Sequence, residues 1–276
     1  MCIRDRVLVV GDVTSTMACS IVAKKLCIPV AHVEAGIRSG DMSMPEEINR
    51  IVTDSITDYF FTTTETASQN LKSLGVSKSK IFFVGNTMID TLLKHKPHFR
   101  KPIIWDDAKL EAKNYFVLTL HRPANVDEEN NLKILMEEII KAARNLPIIF
   151  PVHPRTADRL NTIGIQAENL FMIEPLSYLE FNYLVENAKA VITDSGGITE
   201  ETTIMNVPCI TLRNNTERPE TITIGTNELI GTDPTLVKPT VDKIFNNQWK
   251  KGGIPERWDG KTAQRIVEHL LKIVNN

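Results

Sequence analysis

No apolar run in the 276-residue sequence approaches the roughly 18 residues that a membrane-spanning helix needs. The opening MCIRDRVLVVGD reaches Gly11-Asp12 too early to hold the apolar stretch of a secretory leader. Neither sign of charge dominates. Lys and Arg total 32 against 34 Asp and Glu, so no global field favours nucleic acid or an anionic membrane, and anion binding must come from local geometry. The four cysteines, Cys2, Cys19, Cys27 and Cys209, lack CxxC or His/Cys ligand spacing and sit mainly in apolar segments, which predicts reduced core thiols and no metal site. Repeats and low-complexity tracts are also missing. A soluble, cytoplasmic protein is expected, of one large or two medium domains, with no nucleic-acid or membrane partner.

What is present is a regular alternation of short apolar runs and helical patterns. Val7 to Val10 precedes a helical pattern from Met17 to Leu26, Pro29 to His32 precedes one near Glu46 to Ser55, Tyr59 to Thr62 precedes Glu65 to Leu74, and Ile81 to Val84 precedes Met88 to Leu93. Continuous aliphatic strands followed by helices imply a parallel sheet with right-handed crossovers. The polar, proline-containing segment from Lys94 to Asp107 reads as a linker. A second series follows: Tyr115 to Leu120, a helix from Asn130 to Leu146, Ile148 to Val152, a helix near Ala157 to Leu160, Leu170 to Ile173, and a helix near Tyr178 to Asn187. Tandem α/β domains of this kind are expected to leave a ligand cleft between them, and the amphipathic segment Thr262 to Val274 to pack back across the linker.

The stretch Ala190 to Glu220 reads as strand, tight turn, helix, strand. Adjacent glycines after Ser195, where the helix begins, leave backbone N–H groups with no side chain in front of them, which suits a phosphate. One turn on, Glu200 or Glu201 could accept both hydroxyls of a ribose, and Arg218 follows the second strand. The same residues equally fit an ordinary helix start with a serine cap and acidic first-turn residues.

Three acidic residues fall at or beyond strand ends of the first series: Asp12, Glu34 and Glu46. Carboxylates gathered at one sheet edge suit proton transfer, because repulsion and burial keep one neutral beside an ionised neighbour. Taken singly, each also fits a helix cap, a loop salt bridge or a helix-dipole partner. His121-Arg122 and His153-Pro154-Arg155 follow second-series strands directly, which adds anion-binding groups at the edge that carries Ser195 and favours a diphosphate ligand.

The motifs GDVTST, HVEAGIRSGD with PEEINR, TLHRPANVD, PVHPR, DSGGITEE and NNTERPE, in this order, resemble the non-hydrolysing UDP-N-acetylglucosamine 2-epimerases. The resemblance implies an α/β fold of two Rossmann-like domains of glycosyltransferase-B type, here residues 1–97, carrying the acid/base carboxylates, and 98–276, binding UDP, with the C-terminal helix packing back towards the first. It also implies interconversion of UDP-GlcNAc and UDP-ManNAc through elimination of UDP to 2-acetamidoglucal and re-addition, with no cofactor and with a homodimer as the family's assembly.

Carried over residue by residue, Asp12, Glu34 and Glu46 match the acid/base carboxylates, and His121 matches a position beside the departing UDP. Ser195, Gly196 and Gly197 match the phosphate seat, Glu201 the ribose contact, Arg218 an active-site cation, and His153 and Arg50 further binding positions. The family's glycine-containing loop and basic residues upstream of the GD strand have no counterpart here, so the first domain is expected to be incomplete and the chain unstable or poorly active. The competing readings are a hydrolysing epimerase, a transferase of the same architecture and an inactive UDP-binding fragment.

Overall fold

The structure, a computed structural model, describes residues 5–152 and 154–274. The chain divides into two compact units, residues 1–91 with 255–276, and residues 92–254. In the first, β1 (Val7–Val10), α1 (Thr14–Lys25), β2 (Val30–Val33), α2 (Pro45–Ile56), β3 (Tyr59–Thr62), α3 (Glu65–Ser73) and β4 (Ile81–Phe83) build a parallel sheet of order β1-β2-β3-β4. The helix α4 (Thr87–His95) contains the division between the units.

The second unit holds α5 (Ile104–Asp107), β5 (Phe116–Thr119), α6 (Pro123–Val126), α7 (Glu129–Ala142), β6 (Ile148–Pro151), α8 (Pro154–Thr162), β7 (Leu170–Ile173), α9 (Tyr178–Asn187), β8 (Ala190–Thr193), α10 (Gly196–Met205), β9 (Cys209–Thr211), α11 (Pro219–Thr223), β10 (Asn227–Leu229) and α12 (Val237–Phe245). Its parallel sheet has the order β10-β9-β8-β5-β6-β7. The chain then returns to the first unit with α13 (Thr262–Val274).

Why these runs are strands is visible in the second sheet, where both faces are covered. Phe116, Leu118, Ile148, Phe150, Ile192 and Ile210 pack under α7 and α12, while the alternate residues Val117, Ile149, Val191 and Cys209 pack under α9. A period of two with apolar residues at every position requires helices on both sides. In the first unit, Ala31, Val33 and Phe61 meet Ile266 of α13. Trp258, just before that helix, is buried and donates its indole N–H to the carbonyl of Thr63. On β1 at the sheet edge, Val9 is buried while Leu8 and Val10 are exposed.

Two expectations are corrected. Cys19 and Cys27 are exposed, because one lies on the outer side of α1 and the other in a left-handed turn after it (φ 57°); among the described cysteines only Cys209 is a core thiol. The helix expected to reach Leu146 ends at Ala142, since Arg144 and Asn145 take φ of 50° and 67°. Among the described residues no helix is long and apolar enough to cross a membrane.

Candidate active site

In the first unit the site is assembled along one face of α2. Asp12 follows β1 after Gly11, whose φ of 70° turns the chain sharply. Its carboxylate does not cap α1, whose N-cap residue is Val13, without a side-chain hydrogen bond. Instead Arg50 Nη2 donates to Asp12 Oδ2 at 2.5 Å, and Asn49 donates to the Asp12 carbonyl at 2.8 Å. Arg50 is buried, and its Nη1 donates to Glu47 Oε2 at 3.0 Å. Glu47 in turn accepts from the backbone N–H of Ser39 and of Gly40, fastening the loop after β2. Burial alone would raise the Glu47 pKa, but those N–H groups and Arg50 outweigh it and hold the carboxyl below its ordinary range.

Glu34 stands at the exit of β2, the strand beside β1, and Val10 pairs with Val33 in register. Asp12 and Glu34 therefore leave neighbouring strands at the same edge. Glu34 has φ of 70°, a region that non-glycine residues rarely occupy and that recurs at functional sites. Thr87 Oγ1 lies 3.4 Å from its Oε1. Glu46 lies half-buried in the first turn of α2, beside Glu47.

In the second unit the pairing of β5 with β8 sets Thr119 opposite Thr193, so that His121 and Asp194 emerge side by side. Asp194 is fully buried. It accepts from the backbone N–H of His121 and of Arg122 at 3.0 and 2.8 Å, from Asn125 Nδ2 at 3.1 Å, and from His121 Nδ1 at 2.6 Å. Burial raises the Asp194 pKa, but the donors from His121 and Arg122 overcome it and keep the carboxylate ionised below its ordinary range. The His121 side chain is 58% exposed. With Nδ1 committed to Asp194, its Nε2 is the nitrogen left to meet a ligand.

The turn after β8 enters α10 at Ser195, whose side chain makes no capping hydrogen bond, so it does not take up the first-turn N–H groups. A Cβ at position 196 would lie 2.7 Å from Glu217 Oε1, so a side chain there would have to displace that carboxylate. Glu217 is held by Arg213 through Nη2 at 2.7 Å and Nη1 at 3.3 Å. Against burial, Arg213 draws the Glu217 pKa down to about 2. Further along α10, Glu201 is buried and accepts from the Tyr178 hydroxyl at 2.9 Å, while Glu200 pairs with Arg218 Nε. Burial, only partly opposed by Tyr178 and Asn182, pushes the Glu201 pKa up. Gly197 lies in the first turn of α10, and His153 lies outside the described residues.

The structure thus brings Asp12, Arg50 and Glu34 to one sheet edge, and His121 and Ser195 to another. Sequence reasoning passed over Asp194, Tyr178 and Glu47. Asp194 directly precedes Ser195, but its role depends on β5 pairing with β8, which spacing along the chain does not reveal. Among the described residues no group of three or more His, Cys, Asp or Glu side chains could hold a metal ion.

Two parallel α/β units, one with carboxylates at its strand ends and one with a glycine-led helix start beside a His–Asp pair, define an α/β class of fold whose strand ends and helix starts suit a phosphate-bearing ligand. The family model described as UDP-N-acetylglucosamine 2-epimerase matches residues 3–271, and the chain belongs to that family. It is 42% identical to the UDP-N-acetylglucosamine 2-epimerase of Methanocaldococcus jannaschii, over 96% of this chain and 75% of that protein. A crystal structure of the Methanocaldococcus jannaschii UDP-GlcNAc 2-epimerase in complex with UDP-GlcNAc and UDP aligns with a TM-score of 0.83 at 43% identity, covering 97% of this chain and 76% of that one. The UDP-2,3-diacetamido-2,3-dideoxy-D-glucuronate 2-epimerase of Pseudomonas aeruginosa is 37% identical over 97% of this chain and 75% of that protein.

Proposed function

We propose that this chain interconverts UDP-GlcNAc and UDP-ManNAc without hydrolysis. The observation that carries the reading is the α2-centred arrangement: Arg50 holds Asp12, Glu34 leaves the adjoining strand end, and Glu46 stands on the same helix. In the proposed reaction one carboxylate takes the C2 proton, the C1–O bond breaks with its electron pair leaving on UDP, and a C1–C2 double bond forms. Re-addition of UDP to this 2-acetamidoglucal reverses the steps, with the proton returned to the other face of C2. Two faces require more than one proton-transferring group, which is the part given to Asp12, Glu34 and Glu46.

Ser195, Gly196 and Gly197 are proposed to hold the diphosphate on the N–H groups of α10, where the helix dipole favours negative charge. His121 Nε2 is proposed to stabilise the departing UDP oxygen, Glu201 to accept the ribose hydroxyls, and Arg218, Arg50 and His153 to add cationic or polar contacts. A homodimer and a cytoplasmic location belong to the same proposal, and light scattering reads out the first. UDP-GlcNAc in D2O, followed by NMR, tests the reaction. Deuterium at C2 in both nucleotide sugars is the expected result. Free ManNAc would instead assign a hydrolysing enzyme, exchange only with a diacetamido-glucuronate nucleotide would move the substrate, and bound UDP without exchange would leave a binding protein.

A further inference from the structure

His32 lies on β2 in HVEAG, one residue before Val33, and is fully buried. Its Nδ1 is 2.8 Å from Asp54 Oδ1, and its Nε2 is 2.9 Å from the carbonyl oxygen of Gly11. The carbonyl can only accept. The Asp54 carboxylate is also an acceptor here, because its Oδ2 takes the N–H of Gly36 at 3.0 Å and Arg38 Nη1 at 2.7 Å. With only a carbonyl in front of it, Nε2 is the donor of that bond and carries its hydrogen. With both nitrogens engaged and no exposure, it offers no ligand an approach. Its role must therefore be sought in what it holds.

What it holds is the turn that carries Asp12. The Gly11 carbonyl and the Asp12 N–H belong to one planar peptide unit, so fixing the oxygen fixes the plane from which the Asp12 side chain departs. Gly11 has φ of 70°, and without side-chain packing of its own this residue would leave the plane free to rotate. The other attachments of Asp12 come from α2, through Asn49 to its carbonyl and Arg50 to its carboxylate. Asp54, on the same helix, reaches Gly36 as well, two residues past Glu34. One buried carboxylate thus fastens both turns that carry the proposed proton-transferring groups, directly for one and through His32 for the other.

We propose that His32 is a positioning residue for Asp12, acting through the Gly11 carbonyl with Asp54 as its anchor. This rests on the reading of Asp12 as a proton-transferring group. Two replacements separate the two hydrogen bonds, because asparagine places an amide near the position of Nδ1 and glutamine near that of Nε2. His32→Asn keeps the link to Asp54 and loses Gly11; His32→Gln keeps Gly11. The expected result is that H32N lowers kcat for C2 exchange by about tenfold, the rate equivalent of one lost hydrogen bond, with KM for UDP-GlcNAc within about threefold, while H32Q recovers most of the loss.

Equal rates in H32N and the unsubstituted chain, equal losses in both variants, or a change confined to KM overturns the proposal. If H32N fails to fold, the unsubstituted 15N-labelled full chain decides at pH 8. The His32 Nε2 is expected at the shift of a hydrogen-bearing ring nitrogen, and an Nε2 without a hydrogen overturns the proposal. Retained exchange in D12N would sink the reading of Asp12 instead, whatever the His32 spectrum shows.

Discussion

His121 donates from Nδ1 to Oδ1 of Asp194 at 2.6 Å, an exposed ring anchored on a fully buried carboxylate. The pair fixes which nitrogen faces outward, and the backbone N–H groups of His121 and Arg122 tie the same carboxylate to the end of β5. Asp194→Asn preserves size but offers an amide where an acceptor is needed, so the ring loses its fixed tautomer. The C2 exchange rate is expected to fall about 100-fold or more, in line with loss of the orienting carboxylate elsewhere. UDP affinity by calorimetry should change far less, and an unaltered exchange rate would count against the role given to His121.

Arg50 joins Asp12 to buried Glu47, and Glu47 supports the loop after β2. Arg50→Met removes the cation and strands a buried carboxylate. The free energy of unfolding should drop by about 3 kcal/mol, the usual cost of breaking one side of a buried ion pair. Denaturant melts measure this, and a loss below the error of the extrapolation would mean that solvent reaches Glu47.

Glu217 provides a pH signature. Its folded pKa, about 2, lies below the ordinary 4.5, so the stability it contributes is present above about pH 4.5 and disappears as pH falls towards 2. The size is on the order of 3 kcal/mol. Glu217→Gln should therefore be less stable than the parent at neutral pH, with the two melting temperatures converging between pH 4.5 and 2. Parallel curves through that window would refute the assignment to Arg213.

Glu201 has the opposite sign. Burial raises its pKa, so its stabilising contribution exists below the ordinary value of 4.5 and is lost as pH rises through the raised value. At neutral pH the charged form is a burden that function would explain. Glu201→Gln should melt no lower than the parent at pH 7 yet bind UDP about tenfold more weakly, one charged hydrogen bond being lost to the ribose. A variant that melts lower and binds UDP normally would make Glu201 a purely structural residue.

Much of the fold could be read from local pattern. The strands Tyr59–Thr62 and Leu170–Ile173 and the helix Tyr178–Asn187 follow directly from apolar runs and periodicity. What escaped was short or polar. The strand Asn227–Leu229 has three residues, two of them polar, and the helix Ile104–Asp107 lies inside the proline-containing segment read as a linker. The site divides in the same way. Its residues stood in recognisable motifs, but their partners did not, because Arg50 with Asp12 and His121 with Asp194 are contacts across 38 and 73 residues made by sheet order and helix placement. Spacing along the chain carries no record of those.

The attachments along α2 have a consequence for how this sequence can vary. Glu47, Arg50 and Asp54 are three and four residues apart and lie on one buried side of the helix, whereas Ile48, Ile51 and Ser55 lie on its exposed side. A saturation scan of the helix should therefore give a striped tolerance map. Changes on the buried stripe would remove several fastenings together, so that combined substitutions there cost less than the sum of the single ones. Inheritance would then treat positions 47, 50 and 54 as one character rather than three.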